Sequence, residues 1–116
     1  MFASNFTVAD THLKHVRGRD NLKTFAQSRS IARGTLMTNY FCSTCGTLMY
    51  RVGEAFPGQS ILRLGTVDDF NLVETKLRPR VEHFNKDRVS WFTGVNGAQQ
   101  RIDGMSESDW IGVYEA

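Results

Sequence analysis

Phe41-Cys42-Ser43-Thr44-Cys45-Gly46 holds the only two cysteines of the chain, and strand-forming residues lead into it and out of it. Thr35 to Phe41 is rich in β-branched, Met and aromatic residues, and Thr47 to Val52 continues with Leu48, Tyr50 and Val52 in alternation. Two such runs separated by a few small polar residues predict a β-hairpin with the cysteine pair at its tip. Gly46 suits the positive φ that so tight a turn needs. The pair and its flanks direct the chain towards a mainly β fold.

The remaining pattern agrees. Apolar Phe2, Phe6 and Val8 share one phase with Ser4, which predicts a strand from Phe2 to Val8. Thr11 to Arg17 reads as another short strand, Gly18 to Asn21 as a turn, and Leu22 to Ala26 as the next strand. Gly53 to Ser60 is a loop around Phe56-Pro57-Gly58, and Ile61 to Val67 a further strand. Asp68 to Leu72 predicts a turn or one helical turn; Arg80 to Phe84 predicts a strand pairing near Trp91-Phe92. A loose tail is expected over residues 95–116, with Ser106 and Asp109 capping a short helix before Trp110.

A chain of 116 residues is one domain, and eight Phe, three Tyr and two Trp offset an apolar fraction of 41%. Fourteen basic against twelve acidic groups leave a net charge of +2, without runs, and argue against a nucleic-acid or membrane partner. No stretch approaches the ~20 apolar residues of a spanning helix, and the first residues lack the apolar core of a signal peptide. The reading is a soluble, cytoplasmic protein whose compartment keeps Cys42 and Cys45 reduced.

Two thiolates at this spacing can grip one tetrahedral zinc ion, so Cys42 and Cys45 are the candidate metal ligands. Two other readings stay open. A redox dithiol normally places its attacking cysteine at a helix N-terminus, whereas strands flank this pair; the thiols could also be structural and metal-free. A closed structural zinc site takes four ligands, and there is no second cysteine pair. His12 and His15 could complete it only if Thr11 to Val16 formed a helical turn, since a separation of three puts them on opposite faces of a strand. His83 is a candidate proton carrier without an adjacent nucleophile. Asp68-Asp69 reads as a turn cap rather than a cation site. Ser60 and Ser90 lack a nucleophile-elbow context. Trp91-Phe92 reads as core or pocket wall rather than a stacking platform.

Taken in order, several segments together resemble the glutathione-dependent formaldehyde-activating enzyme family. They are Gly18, Leu22-Lys23-Thr24-Phe25, Tyr40 to Thr47, Leu64-Gly65-Thr66-Val67-Asp68-Asp69, Val81-Glu82-His83-Phe84 and Val89-Ser90-Trp91-Phe92. The resemblance runs over roughly the first 92 residues. It implies a β-tent fold of packed β-sheets braced by zinc, and a carbon–sulfur lyase chemistry that interconverts glutathione plus formaldehyde with S-hydroxymethylglutathione. It further implies that Cys42 and Cys45 are half of a structural zinc site, completed in the family by an early cysteine pair. A catalytic zinc is held there by an upstream CxCxxC run.

Both upstream cysteine groups would precede Met1. The chain is therefore expected to be a truncated or degenerate member, with half of the structural site, no catalytic zinc ligands and impaired activity. The implied partner is a small thiol such as glutathione, and His83, Trp91 and Asp69 are pocket candidates because they lie in matching segments. Two chains pooling Cys42 and Cys45 around one zinc would make a homodimer. The alternative function is a non-catalytic zinc-knuckle module that binds a protein.

Overall fold

The computed structural model describes residues 2–104, and over them the chain is mainly β. In chain order the strands are β1 (Asn5–Ala9), β2 (Leu22–Gln27), β3 (Met37–Cys42), β4 (Leu48–Gly53), β5 (Gln59–Arg63), β6 (Val81–Glu82) and β7 (Gln99–Gln100). One short helix, α1 (Phe70–Glu74), lies between β5 and β6. The first five strands form an antiparallel sheet in the order β1-β5-β4-β3-β2, and β6 and β7 pair in parallel as a second sheet. The cysteine pair sits at the tip of the β3–β4 hairpin, as the flanking runs predict.

Register decides what each sheet face presents. Tyr40 lies opposite Tyr50, Tyr50 opposite Leu62, and Leu62 opposite Phe6. With the two-residue period of a strand, that row shares its face with Cys42 and its partner Leu22. The other face carries the row Asn39, Arg51, Ile61 and Thr7. Between Tyr40 and Phe41 the register shifts, because Phe41 pairs with Leu48 and leaves Met49 as the extra residue of a bulge. Burial on this sheet is thin. Leu64, 5% exposed, is the one buried hydrophobic side chain among the described residues, while Phe25 on the β2 edge is 56% exposed.

Several elements differ from the sequence expectation, each for a local reason. Thr11 to Arg17 is not a strand. The β1–β5 ladder ends at Ala9 opposite Gln59, where the Asp10 N–H donates to the Gly58 carbonyl (2.9 Å) and Ser60 Oγ donates to Asp10 Oδ1 (2.7 Å). This clamp turns the chain into a single 3-10 turn, Asp10–His12, and out of the sheet. Strand β5 stops at Arg63 instead of reaching Val67, because Thr66 Oγ1 donates to the Arg63 carbonyl (2.8 Å) and closes the turn Leu64–Thr66. Asp69 caps α1 as expected, its Oδ1 accepting from the Asn71 N–H at 2.9 Å.

The partner of β6 is β7, not the Trp91-Phe92 segment. Gln99 N–H donates to the Arg80 carbonyl and Arg101 N–H to the Glu82 carbonyl, both at 2.8 Å. Phe84 turns left-handed (φ 53°) and ends β6. Arg88 pairs with Glu82 of β6 (3.3 Å) and donates to the Thr93 carbonyl (2.9 Å), which ties the two ends of the intervening loop together. Trp91, within that loop, is 68% exposed, neither core nor pocket wall, while Phe92 stacks on Phe2 with ring centroids 4.4 Å apart. The expected helix from Ser106 to Trp110 lies outside the described residues. No helix among the described residues is long and apolar enough to cross a membrane.

Candidate functional site

The hairpin tip is built by its own backbone. Cys42 N–H donates to the Thr47 carbonyl (2.9 Å), Gly46 N–H donates to the Cys42 carbonyl (2.8 Å), and Gly46 takes φ 77° to close the turn. Asn21, entering β2 on the neighbouring strand, clamps this turn from outside. Its carbonyl accepts from Ser43 N–H (2.9 Å), its side-chain oxygen from Ser43 Oγ (2.5 Å), and its amide nitrogen donates to Thr44 Oγ1 (3.0 Å) and Cys42 Sγ (3.4 Å).

The electrostatics favour a thiolate. Backbone N–H groups of Cys45 and then Thr44, followed by the Cys45 side chain, hold the Cys42 thiol below its ordinary pKa against a smaller opposing effect of burial. Cys45 Sγ lies 3.1 Å from Thr47 Oγ1. Converging N–H groups stabilise a ligating sulfur in a metal knuckle, so the donor chemistry fits zinc. The fit is to half a site: no group of three or more His, Cys, Asp or Glu among the described residues is arranged to hold a metal ion. Both cysteines are free thiols, and a strand end rather than a helix N-terminus carries Cys42, which is not the setting of a redox dithiol.

The histidines do not complete the metal site. His12 Nδ1 meets Thr11 Oγ1 at 3.0 Å, and His15 turns instead to Tyr50, with Nε2 3.0 Å from the hydroxyl and the rings edge to face at 5.7 Å. Asp69 is committed to its helix cap, and His83 is half-buried beside the second sheet.

A cavity of about 430 Å³ adjoins the knuckle on the Cys42 face of the sheet. Leu22, Met49 and Leu62 form its apolar wall; Cys42, His15 and Tyr50 contribute the polar groups, with Arg17 and Arg19 also lining it. The bulge explains why both Met49 and Tyr50 reach the same space. Tyr50 stacks on Tyr40 with centroids 4.6 Å apart, and its phenol pKa is raised, mainly by burial and secondarily by Tyr40, against a smaller lowering by Arg19. Tyr50 therefore keeps its proton at neutral pH.

Sequence reasoning did not single out Tyr50, Asn21, Arg17 or Arg19 as functional. Tyr50 was legible only as one beat of an alternating strand, and its partner His15 stands 35 positions away. Leu22 and Cys42 enter the site by direct cross-strand pairing, which no local motif encodes.

A family model described as glutathione-dependent formaldehyde-activating enzyme matches residues 1–87, a span that holds the whole five-stranded sheet, the hairpin tip and every residue lining this cavity. No curated protein and no solved structure matches the chain. With 87 of 116 residues covered, and the Cys42–Cys45 turn in its expected place, the chain belongs to the glutathione-dependent formaldehyde-activating enzyme family.

Proposed function

We propose that the chain binds a small anionic thiol and its formaldehyde adduct in the cavity beside Cys42, and acts on that adduct as a carbon–sulfur lyase. The observation that carries this reading is the grouping, within one cavity, of an apolar wall, a hydrogen-bonded His15–Tyr50 pair and two arginines. Glutathione carries two carboxylates and one ammonium group, so Arg17 and Arg19 suit its net negative charge.

Adduct formation makes one S–C bond, opens the carbonyl π bond and moves the thiol proton to oxygen. The His15–Tyr50 pair can balance that transfer: the phenol gives a proton to the developing alkoxide while the imidazole takes one from sulfur. A proton passed back along their 3.0 Å contact restores both groups. In the lyase direction the same pair acts in reverse. Cys42 and Cys45 would hold zinc, and the bound ion would rigidify the hairpin tip that forms one side of the cavity.

Exchange NMR with carbon-13 formaldehyde and glutathione tests the proposal. Added protein is expected to accelerate exchange between free thiol and S-hydroxymethyl adduct, and Tyr50→Phe or His15→Phe is expected to lower the gain by about 100-fold. Exchange at the protein-free rate, with no glutathione-induced shift at cavity residues, would sink the proposal.

A further inference from the structure

Arg51 and Arg63 lie on the sheet face opposite Cys42. Arg51 on β4 faces Ile61 on β5, and Arg63 follows Ile61 by two residues, so both side chains leave the same surface. Diagonal neighbours of this kind stand about 7–8 Å apart at the backbone, within joint reach of one small ligand. Each guanidinium is oriented by a neutral amide. Arg51 Nε donates to Asn39 Oδ1 (2.9 Å) and Arg63 Nη1 to Asn5 Oδ1 (3.0 Å). Both terminal nitrogens of Arg51, and Nε and Nη2 of Arg63, keep their donors uncommitted among the described residues.

Neither arginine has an acidic partner among the described residues. The two ion pairs among the described residues, Lys86–Asp103 and Arg88–Glu82, both lie in the second half of the chain. Yet Arg51 and Arg63 are half-buried; burial lowers both pKa values, and at Arg63 the charge of Arg51 lowers it further. Partly desolvated like charges held side by side call for a counter-charge. The nearby sequence supplies few. Residues 1–67 hold eight Lys and Arg against three Asp and Glu, a net +5, whereas residues 68–116 hold six against nine, a net −3. Of the three acids, Asp10 accepts from Ser60 and Glu54 accepts from the Leu36 N–H.

We propose that Arg51 and Arg63, held in place by Asn39 and Asn5, form a second binding site for a small oxyanion, a phosphate or a carboxylate, on the face away from the thiol cavity. Two planar forks with free paired donors suit the oxygens of such a group. The site does not depend on the lyase reading, since it shares no residue with the Cys42 cavity.

Thermal unfolding at constant ionic strength, with sodium chloride exchanged for inorganic phosphate in one arm and glutarate in another, tests the site. Tenfold excess over the half-saturating concentration is expected to raise Tm by about 5 °C. Arg51→Gln and Arg63→Gln should each abolish the rise, and Lys23→Gln, an exposed cation on the same face, should preserve it. Asn39→Asp, which places a carboxylate against Arg51, should raise the basal Tm and remove the response. A rise with phosphate alone identifies a phosphate ligand, and one with glutarate alone a carboxylate. In the unaltered protein the Arg51 and Arg63 Nε–H NMR signals should move with the same midpoint, so a poorly folding variant does not block the test. No Tm rise with either anion, equal rises in the arginine variants, or unmoved Nε–H signals would overturn the proposal.

Discussion

Replacing Tyr50 by Phe deletes one hydroxyl while leaving the ring that stacks on Tyr40 at 4.6 Å. What is lost is the 3.0 Å contact with His15 Nε2. A part-buried neutral hydrogen bond contributes about 1 kcal/mol net, and less where the freed imidazole can turn to water, as it can in an open cavity. The expected destabilisation is therefore about 0.5–1 kcal/mol. In urea, with a slope of about 2 kcal/mol/M, the midpoint should fall by roughly 0.25–0.5 M.

His15→Phe keeps an aromatic ring at the Tyr50 edge and removes the nitrogens, which allows a double-mutant cycle. A coupling energy of about 0.5–1 kcal/mol is expected. Additivity to within ~0.3 kcal/mol would mean that phenol and imidazole do not interact in solution, and the proton-transfer role assigned to the pair would fall with it. The alkaline limb gives a second readout. Because folding raises the Tyr50 pKa above 10.0, the neutral phenol is favoured in the folded state. That stabilisation is complete below pH 10.0 and is lost as pH climbs through the raised value, so Tyr50→Phe should lack this part of the alkaline destabilisation. Tyrosinate absorbance followed through the same titration should lose one late-ionising phenol in the variant relative to the parent.

Gly46→Ala meets no neighbouring atom within 4 Å but must hold φ 77°, so the cost is conformational, about 1 kcal/mol, and cobalt affinity at the knuckle should drop roughly fivefold. Cobalt(II) titration should give a thiolate-to-metal absorption band that disappears in Cys42→Ser and in Cys45→Ser; a band surviving both changes would place the metal elsewhere. Molar mass and zinc content on one sample separate the arrangements: half a zinc per chain in a dimer means a shared four-thiolate site, and one zinc in a monomer means ligands from within the chain. Asp69→Ala removes the Asn71 N–H acceptor and should lower stability by about 1 kcal/mol in urea unfolding, whereas Asp68→Ala should leave it nearly unchanged.

Much of this organisation could be read directly because it depends on neighbours in sequence. The hairpin tip follows from Cys42, Cys45 and Gly46 between two alternating runs, and the α1 cap follows from Asp69 two residues before Asn71. Strand limits were less legible where a single side-chain bond intervened. Thr66 ends β5 by returning to the Arg63 carbonyl, and Ser60 with Gly58 draws Asp10 out of the β1 ladder. The exposure of Trp91 is not legible from hydrophobicity, since Trp91 sits in a loop closed by Arg88 contacts to Glu82 and Thr93.

The sequence by itself therefore determined the mainly β character, the cysteine turn and the family, all of which rest on residue order and two-residue alternation. Tertiary structure decided which residues share a surface. Antiparallel register set Leu22 beside Cys42, the bulge at Met49 brought Tyr50 to the cavity where it meets His15, and the β4–β5 pairing gathered Arg51 and Arg63 on the opposite face. Those juxtapositions depend on register across long chain separations, where a slip of one residue would turn every side chain to the other face.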